Sequence, residues 1–168
     1  KVRKYGFEHP EIAYSWTNIG LAHSNREEFE TALECHHKAL KIMVSAYGKE
    51  HLEVSDVYNN LGNAYDEVAD YKKAKQYYEQ ALEIRIEKLG DQHEGVADLY
   101  LNLGSLLKEK KDPEAEELHK KALAIYQKTL SSEDIKLSYI YNNLGNFYAD
   151  ERNYPAAEEF MKKALEIK

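Results

Sequence analysis

Around Gly62 the apolar and aromatic residues Val54, Tyr58, Leu61, Tyr65 and Val68 step by 4, 3, 4 and 3, which lays one stripe along a helix. A second stripe runs from about Tyr71 through Ala74, Tyr78, Ala81 and Leu82 to Ile86, so two amphipathic helices are predicted in succession. Gly48 and Gly90 stand where the second helix of a pair should stop, and a glycine there can take the left-handed conformation that closes a helix; Gly6 has the same role near the chain's start. Proline is tolerated only in a helix's first turn, and Pro10, Pro113 and Pro155 all fall on predicted helix starts. Charge follows the helix dipole. Glu27, Glu28, Glu114, Glu116 and Glu158 gather early in second helices, and Lys41, Arg85, Lys88 and Lys128 gather late.

The helix pair is repeated. Asn60-Leu61-Gly62-Asn63-Ala64-Tyr65 has close copies at Asn18-Ile19-Gly20, Asn102-Leu103-Gly104 and Asn143-Leu144-Gly145-Asn146-Phe147-Tyr148, with the glycines 42, 42 and 41 residues apart. Four units result, near residues 5–46, 47–88, 89–129 and 130–168, with eight helices and no Gly/Ser-rich or Pro-rich linker, so residues 1–168 read as a single domain. The third unit is one residue short at the turn around Asp112-Pro113, where Lys-Asp-Pro-Glu-Ala replaces Tyr71-Lys72-Lys73-Ala74, and looser packing is expected there.

The 32% charged content and mean hydropathy of -0.73 suit an elongated array that keeps much of its surface wet. A net charge of -7 repels a phosphate backbone, which argues against nucleic acid as a partner. The lone Cys35 excludes an intrachain disulfide and no Asn-x-Ser/Thr sequon occurs, so a cytoplasmic location is the expectation. With no run of 18 apolar residues, no membrane association is expected either.

Each unit carries an aromatic, a Leu/Ile-Gly pair and two spaced alanines: Trp16, Ile19, Gly20, Ala32, Ala39; Tyr58, Leu61, Gly62, Ala74, Ala81; Tyr100, Leu103, Gly104, Ala115, Ala122; Tyr141, Leu144, Gly145, Ala157, Ala164. The pattern resembles the tetratricopeptide repeat in its 42-residue, kinesin-light-chain-like form, and the Gly-x-x-His elements Gly48 to His51 and Gly90 to His93 add to the likeness. Departures are His23 and Leu107 where Tyr65 and Tyr148 supply a second aromatic, and the absence of the family's late proline. The resemblance implies an all-α fold, a right-handed α-solenoid of four helix-turn-helix units. First helices would line its concave surface, and the function would be a protein-protein interaction scaffold.

On that surface the residue before each Leu/Ile-Gly pair is asparagine, at Asn18, Asn60, Asn102 and Asn143, and Asn63 and Asn146 follow one turn on. An asparagine side chain can both donate to and accept from the backbone of an extended peptide. Tyr14, Asp56, Asp98 and Tyr139 flank one edge of the groove, and Asp66, Glu67, Glu109 and Asp150 the other. An acidic groove and a basic or mixed-charge peptide ligand are expected. Chaperone-tail binding of the family's carboxylate-clamp type is disfavoured, because Thr17, Asn59, Leu101 and Asn142 occupy the cationic positions.

No cofactor, metal site or enzyme is expected. His9, His51 and His93 read as helix-entry residues, and His36 and His119 as partly buried packing residues in the place of Tyr78. Cys35, His36 and His37 point in different directions on one helix, and His93-Glu94 lacks a second zinc ligand at Ala97. The terminal stretch Lys1-Val2-Arg3-Lys4 aligns with Arg85-Ile86-Glu87-Lys88, and Lys168 with Arg85, so the chain reads as a segment of a longer array. An uncapped last helix exposing Phe160 and Leu165 would then favour end-to-end or dimeric self-association, making a structural spacer, or a regulatory arm of a larger protein, the alternatives to peptide binding.

Overall fold

The structure is a computed structural model that describes residues 9–167; the expectations placed on Gly6, Lys1-Val2-Arg3-Lys4 and Lys168 lie outside the described residues. Eight helices and no strand occur among the described residues: α1 Pro10–Ser24, α2 Phe29–Tyr47, α3 Leu52–Glu67, α4 Tyr71–Leu89, α5 Glu94–Glu109, α6 Glu114–Thr129, α7 Ile135–Asp150 and α8 Tyr154–Glu166. The fold class is all-α, built from successive helix pairs. The chain divides into two compact units, residues 1–88 and 89–168, and the cut falls at the sequence boundary between the second and third repeats.

In the first unit α1 packs on α2, α2 on α3, and α1 also touches α3; in the second α5, α6, α7 and α8 pack in the same succession, with α5 touching α7. The repeated small residues make these crossings. Ala32, Ala39, Ala74, Ala81, Ala115 and Ala122 are fully buried, and each helical glycine abuts a large side chain of its own repeat's second helix. A Cβ added at Gly20 would lie 2.6 Å from His36, at Gly62 2.5 Å from Tyr78, at Gly104 2.5 Å from His119, and at Gly145 2.8 Å from Met161. His36 and His119 are therefore fully buried, at 1% and 0% exposure, where partial burial is the sequence expectation. The missing Cβ of the facing glycine draws each imidazole into the crossing.

Helix starts follow the sequence closely. His9, His51 and His93 are the N-caps of α1, α3 and α5, and each Nδ1 accepts from the backbone N–H two residues on, at 3.2, 3.3 and 2.9 Å. Asp134 does the same for α7, accepting from Lys136 N at 2.9 Å. Helix ends depart from expectation. Gly48 closes α2 with φ 84° and ψ 162°, an extended positive-φ conformation open to glycine rather than the left-handed helical one. The left-handed residues sit instead in the turn inside each repeat, and none is glycine: Glu27, Ala69, Lys111 and Arg152, with φ of 60°, 58°, 56° and 59°.

Candidate functional site

Gly20 and Gly62 point at their own second helices, and a residue two positions earlier lies about 200° round the helix. Asn18 and Asn60 therefore face away from those helices, Asn18 exposed and Asn60 half-buried, and among the described residues neither side chain makes a hydrogen bond within the chain. Asn63 is different. Its Oδ1 accepts from Tyr78 Oη at 2.7 Å, so it secures the buried tyrosine that packs on Gly62. Burial, followed by the nearby Asp66 and Glu67 carboxylates, keeps the Tyr78 hydroxyl protonated by raising its pKa well above the ordinary tyrosine value.

Two other groove-edge residues of the first unit are also tied. Tyr14 donates to Glu53 Oε2 at 2.5 Å, a bond from the first repeat to the second that raises the phenol's pKa. Asp56 takes a 2.7 Å bond from Arg85, whose side chain is only 13% exposed and also reaches Ser55 Oγ at 3.3 Å.

In the second unit Asn143 is half-buried and Asn146 exposed, again without a side-chain hydrogen bond among the described residues, whereas Asn102 is already engaged within the chain. Asn146 has no equivalent of the Tyr78 bond because Met161, at the matching place against Gly145, cannot donate one. Tyr139 is 58% exposed. Asp98 sits in a network that the sequence did not disclose: it accepts from Tyr126 Oη at 2.6 Å and from Lys136 Nζ at 2.9 Å, and Lys136 also reaches Glu94. Burial pulls the Lys136 pKa down, but the bonds to Glu94 and Asp98 outweigh it and leave the ammonium more firmly protonated than usual. Tyr14–Glu53 and Asp98–Lys136 join matching positions of consecutive repeats with different chemistry, which is why no repeated motif announces them.

These ties reduce the acidity of the expected groove. Asp56 and Asp98 are paired as above, and Asp150 is bound by Lys108 at 3.0 Å. Beside the asparagines each unit carries a stacked aromatic set: Tyr65 on Tyr77 at 5.4 Å with Tyr58 at 5.8 Å, and Tyr148 on Phe160 at 5.5 Å with Tyr141 at 6.2 Å. Phe160 is consequently half-buried, which corrects the expectation that it is exposed, whereas Leu165 is exposed as expected, at 84%.

The histidines and Cys35 are used separately. His37 Nε2 meets Tyr65 Oη at 2.9 Å, His23 Nδ1 meets Glu28 at 2.5 Å, and burial pushes the Cys35 thiol pKa up. Among the described residues no group of three His, Cys, Asp or Glu is placed to hold a metal ion, and no helix is long and apolar enough to cross a membrane.

Compared with known proteins, the chain matches the family described as "Tetratricopeptide repeat" over residues 11–87, 70–128 and 95–168. No curated protein sequence matches it. Among solved structures it is similar to BtubC (BKLC) from P. vanneervenii, at 28% identity and a TM-score of 0.85, covering 95% of this chain and 64% of that one. It is also similar in fold to a kinesin light chain-type protein of Podosopora anserina with nearly identical TPR-like repeats, at 22% identity and a TM-score of 0.75, covering 95% of this chain and 76% of that one. A singly substituted form of the latter gives 22% identity and a TM-score of 0.78, with the same coverage of 95% and 76%. The chain thus spans about 64% of the length of BtubC.

Proposed function

We propose a peptide-holding scaffold function for this chain, which belongs to the tetratricopeptide repeat family. Repeats of this family mediate protein-protein interaction, and the finer reading places an extended segment of a protein partner on the asparagine faces of the first helices. One observation carries it: Asn18, Asn60, Asn143 and Asn146 stand on those faces with no hydrogen bond to the rest of the chain among the described residues. A peptide backbone supplies the donors and acceptors that these amides lack. Asn63 contributes through the buried Tyr78 that it holds, and Asn102 is already engaged within the chain. Tyr14 and the paired Asp56 border the face of the first unit, Tyr139 and the paired Asp98 that of the second, and with Glu67 and Glu109 exposed at the other edge the ligand is of basic or mixed charge.

Screening a peptide array and replacing Asn18, Asn60 and Asn143 with Ala tests the reading. Binding of the selected peptide should fall at least about tenfold, with helicity unchanged, since each amide bond to a backbone is worth about 1 kcal/mol. Unchanged affinity in the triple variant overturns it. A second reading, self-association through the last helix, is supported by the exposure of Leu165 at 84% and Tyr154 at 65%.

A further inference from the structure

The turn that is one residue short opens a cleft of about 1090 Å³ in the second unit, between the α5–α6 turn and the end of α7. Its origin lies in the repeat register. Nine residues after the helical glycine the other repeats carry an aromatic, Phe29, Tyr71 or Tyr154, and the third carries Pro113; counted from the first alanine of each repeat pattern, Glu116 takes the place of Leu33, Lys75 and Glu158. The aromatic of the other three repeats is thus replaced by a proline. The space between the turns is left open, with Phe147 and Tyr148 as its aromatic wall, their rings edge to face at 5.7 Å.

The lining charges decide what enters. Lys108 is committed to Asp150 at 3.0 Å, and Glu116 is held by Lys120 at 2.6 Å and by the Tyr148 hydroxyl. Glu109 and Glu151 have no partner among the described residues, and Asp112 accepts the backbone N–H of Glu114 at 3.0 Å, which leaves its full negative charge in place. Against these three carboxylates stands, among the described residues of the lining, one uncommitted ammonium, Lys111. An anion meets net repulsion here. A cation with an aliphatic stem meets carboxylates for its head and aromatic carbon for its stem.

We propose that this cleft is a subsite for a basic side chain, arginine foremost, of a partner polypeptide crossing the turn edge of the second unit. Arginine fits better than lysine because its planar guanidinium can lie on the aromatic wall while donating to two carboxylates. The subsite contains none of the asparagines of the first-helix faces, although Glu109 and Asp150 also flank the groove edge, and the asparagine variants below separate the two readings.

The test follows backbone amide chemical shifts of the 168-residue chain during titration with acetylated, amidated peptides of alternating Gly and Arg, against the same peptides with Glu. The Arg peptide should produce saturable shifts at Phe147, Tyr148 and Glu151, and the Glu peptide none. Glu109→Gln with Glu151→Gln, both exposed and so harmless to folding, should weaken binding at least about fivefold. Pro113→Phe, which supplies the aromatic found at Phe29, should abolish the shifts by filling the space, while Asn60→Ala with Asn143→Ala should leave them intact. Equal shifts from Arg and Glu peptides, no saturable shift with Arg, or full binding in the double Gln variant each overturn the proposal.

Discussion

At the scale of single residues, the glycine of each repeat is fixed by what lies against it rather than by its own backbone. A Cβ at Gly62 would sit 2.5 Å from ring carbons of Tyr78, a ring held by burial and by its bond to Asn63. Gly62→Ala should therefore destabilise by up to about 2 kcal/mol, overpacking of roughly 1–3 kcal/mol less the helix-propensity advantage of alanine, about 1 kcal/mol. Gly145 faces Met161, whose flexible chain can give way, and Gly145→Ala should fall within about 0.5 kcal/mol of neutral. Urea denaturation of the two variants checks the ranking. The buried imidazoles make a pH prediction. His36 and His119 are pulled down to about 4, first by burial and then by His37 and Lys108 respectively, with the Leu101 backbone opposing weakly at His119. The unfolded chain then binds more protons than the native one below about pH 6.5, so stability is full above that value. It should fall as pH drops toward 4, by about 1.4 kcal/mol per pH unit for each histidine. Paired carboxylates such as Glu116, whose pKa is lowered by Lys120 and Tyr148, lose their contribution only at lower pH. His119→Phe should roughly halve the slope in stability measured between pH 6.5 and 4.

At the scale of elements, the turn inside each repeat has one non-glycine residue in left-handed backbone, which costs about 1–2 kcal/mol through its Cβ. Ala69 is exposed at φ 58°, so Ala69→Gly should stabilise by about 0.5–1 kcal/mol after the entropy that glycine adds to the unfolded chain. Thermal denaturation checks the sign. Gly48 and Gly90 are the reverse case. With φ of 84° at both, alanine is strained there even though nothing lies within 4 Å of its Cβ. Consecutive repeats are tied by groups of mixed chemistry: a tyrosine to a carboxylate in the first unit, an ammonium to two carboxylates in the second. Lys136→Met should loosen α5 from α7 at a cost of about 1–3 kcal/mol, because it leaves Asp98 and Glu94 together without their cation.

At the scale of the whole molecule, the last helix distinguishes self-association from folding. Phe160 stacks on Tyr148, so Phe160→Glu would disrupt the second unit as well as any contact between copies. Leu165 has no such burial, and Leu165→Glu is the cleaner change. If the last helix pairs chains, sedimentation velocity should show concentration-dependent mass in the native protein and a monomer in Leu165→Glu. A native chain that stays monomeric throughout removes the self-association reading.

The sequence by itself determined the eight helices, their pairing, the histidine caps and the turn of the third repeat, because helical period, N-capping and glycine-alanine crossings are local or repeat every 42 residues. It also placed Asn18, Asn60 and Asn143 on faces turned away from the second helices, since that follows from helical rotation alone. What only the tertiary structure decided was which of those groups are already spent. Asn63 is bound by Tyr78, 15 residues on, and Asp98 by Lys136, 38 residues on, through side chains that differ from one repeat to the next. Such pairings depend on where two flexible side chains meet in space, and no period in the sequence records that.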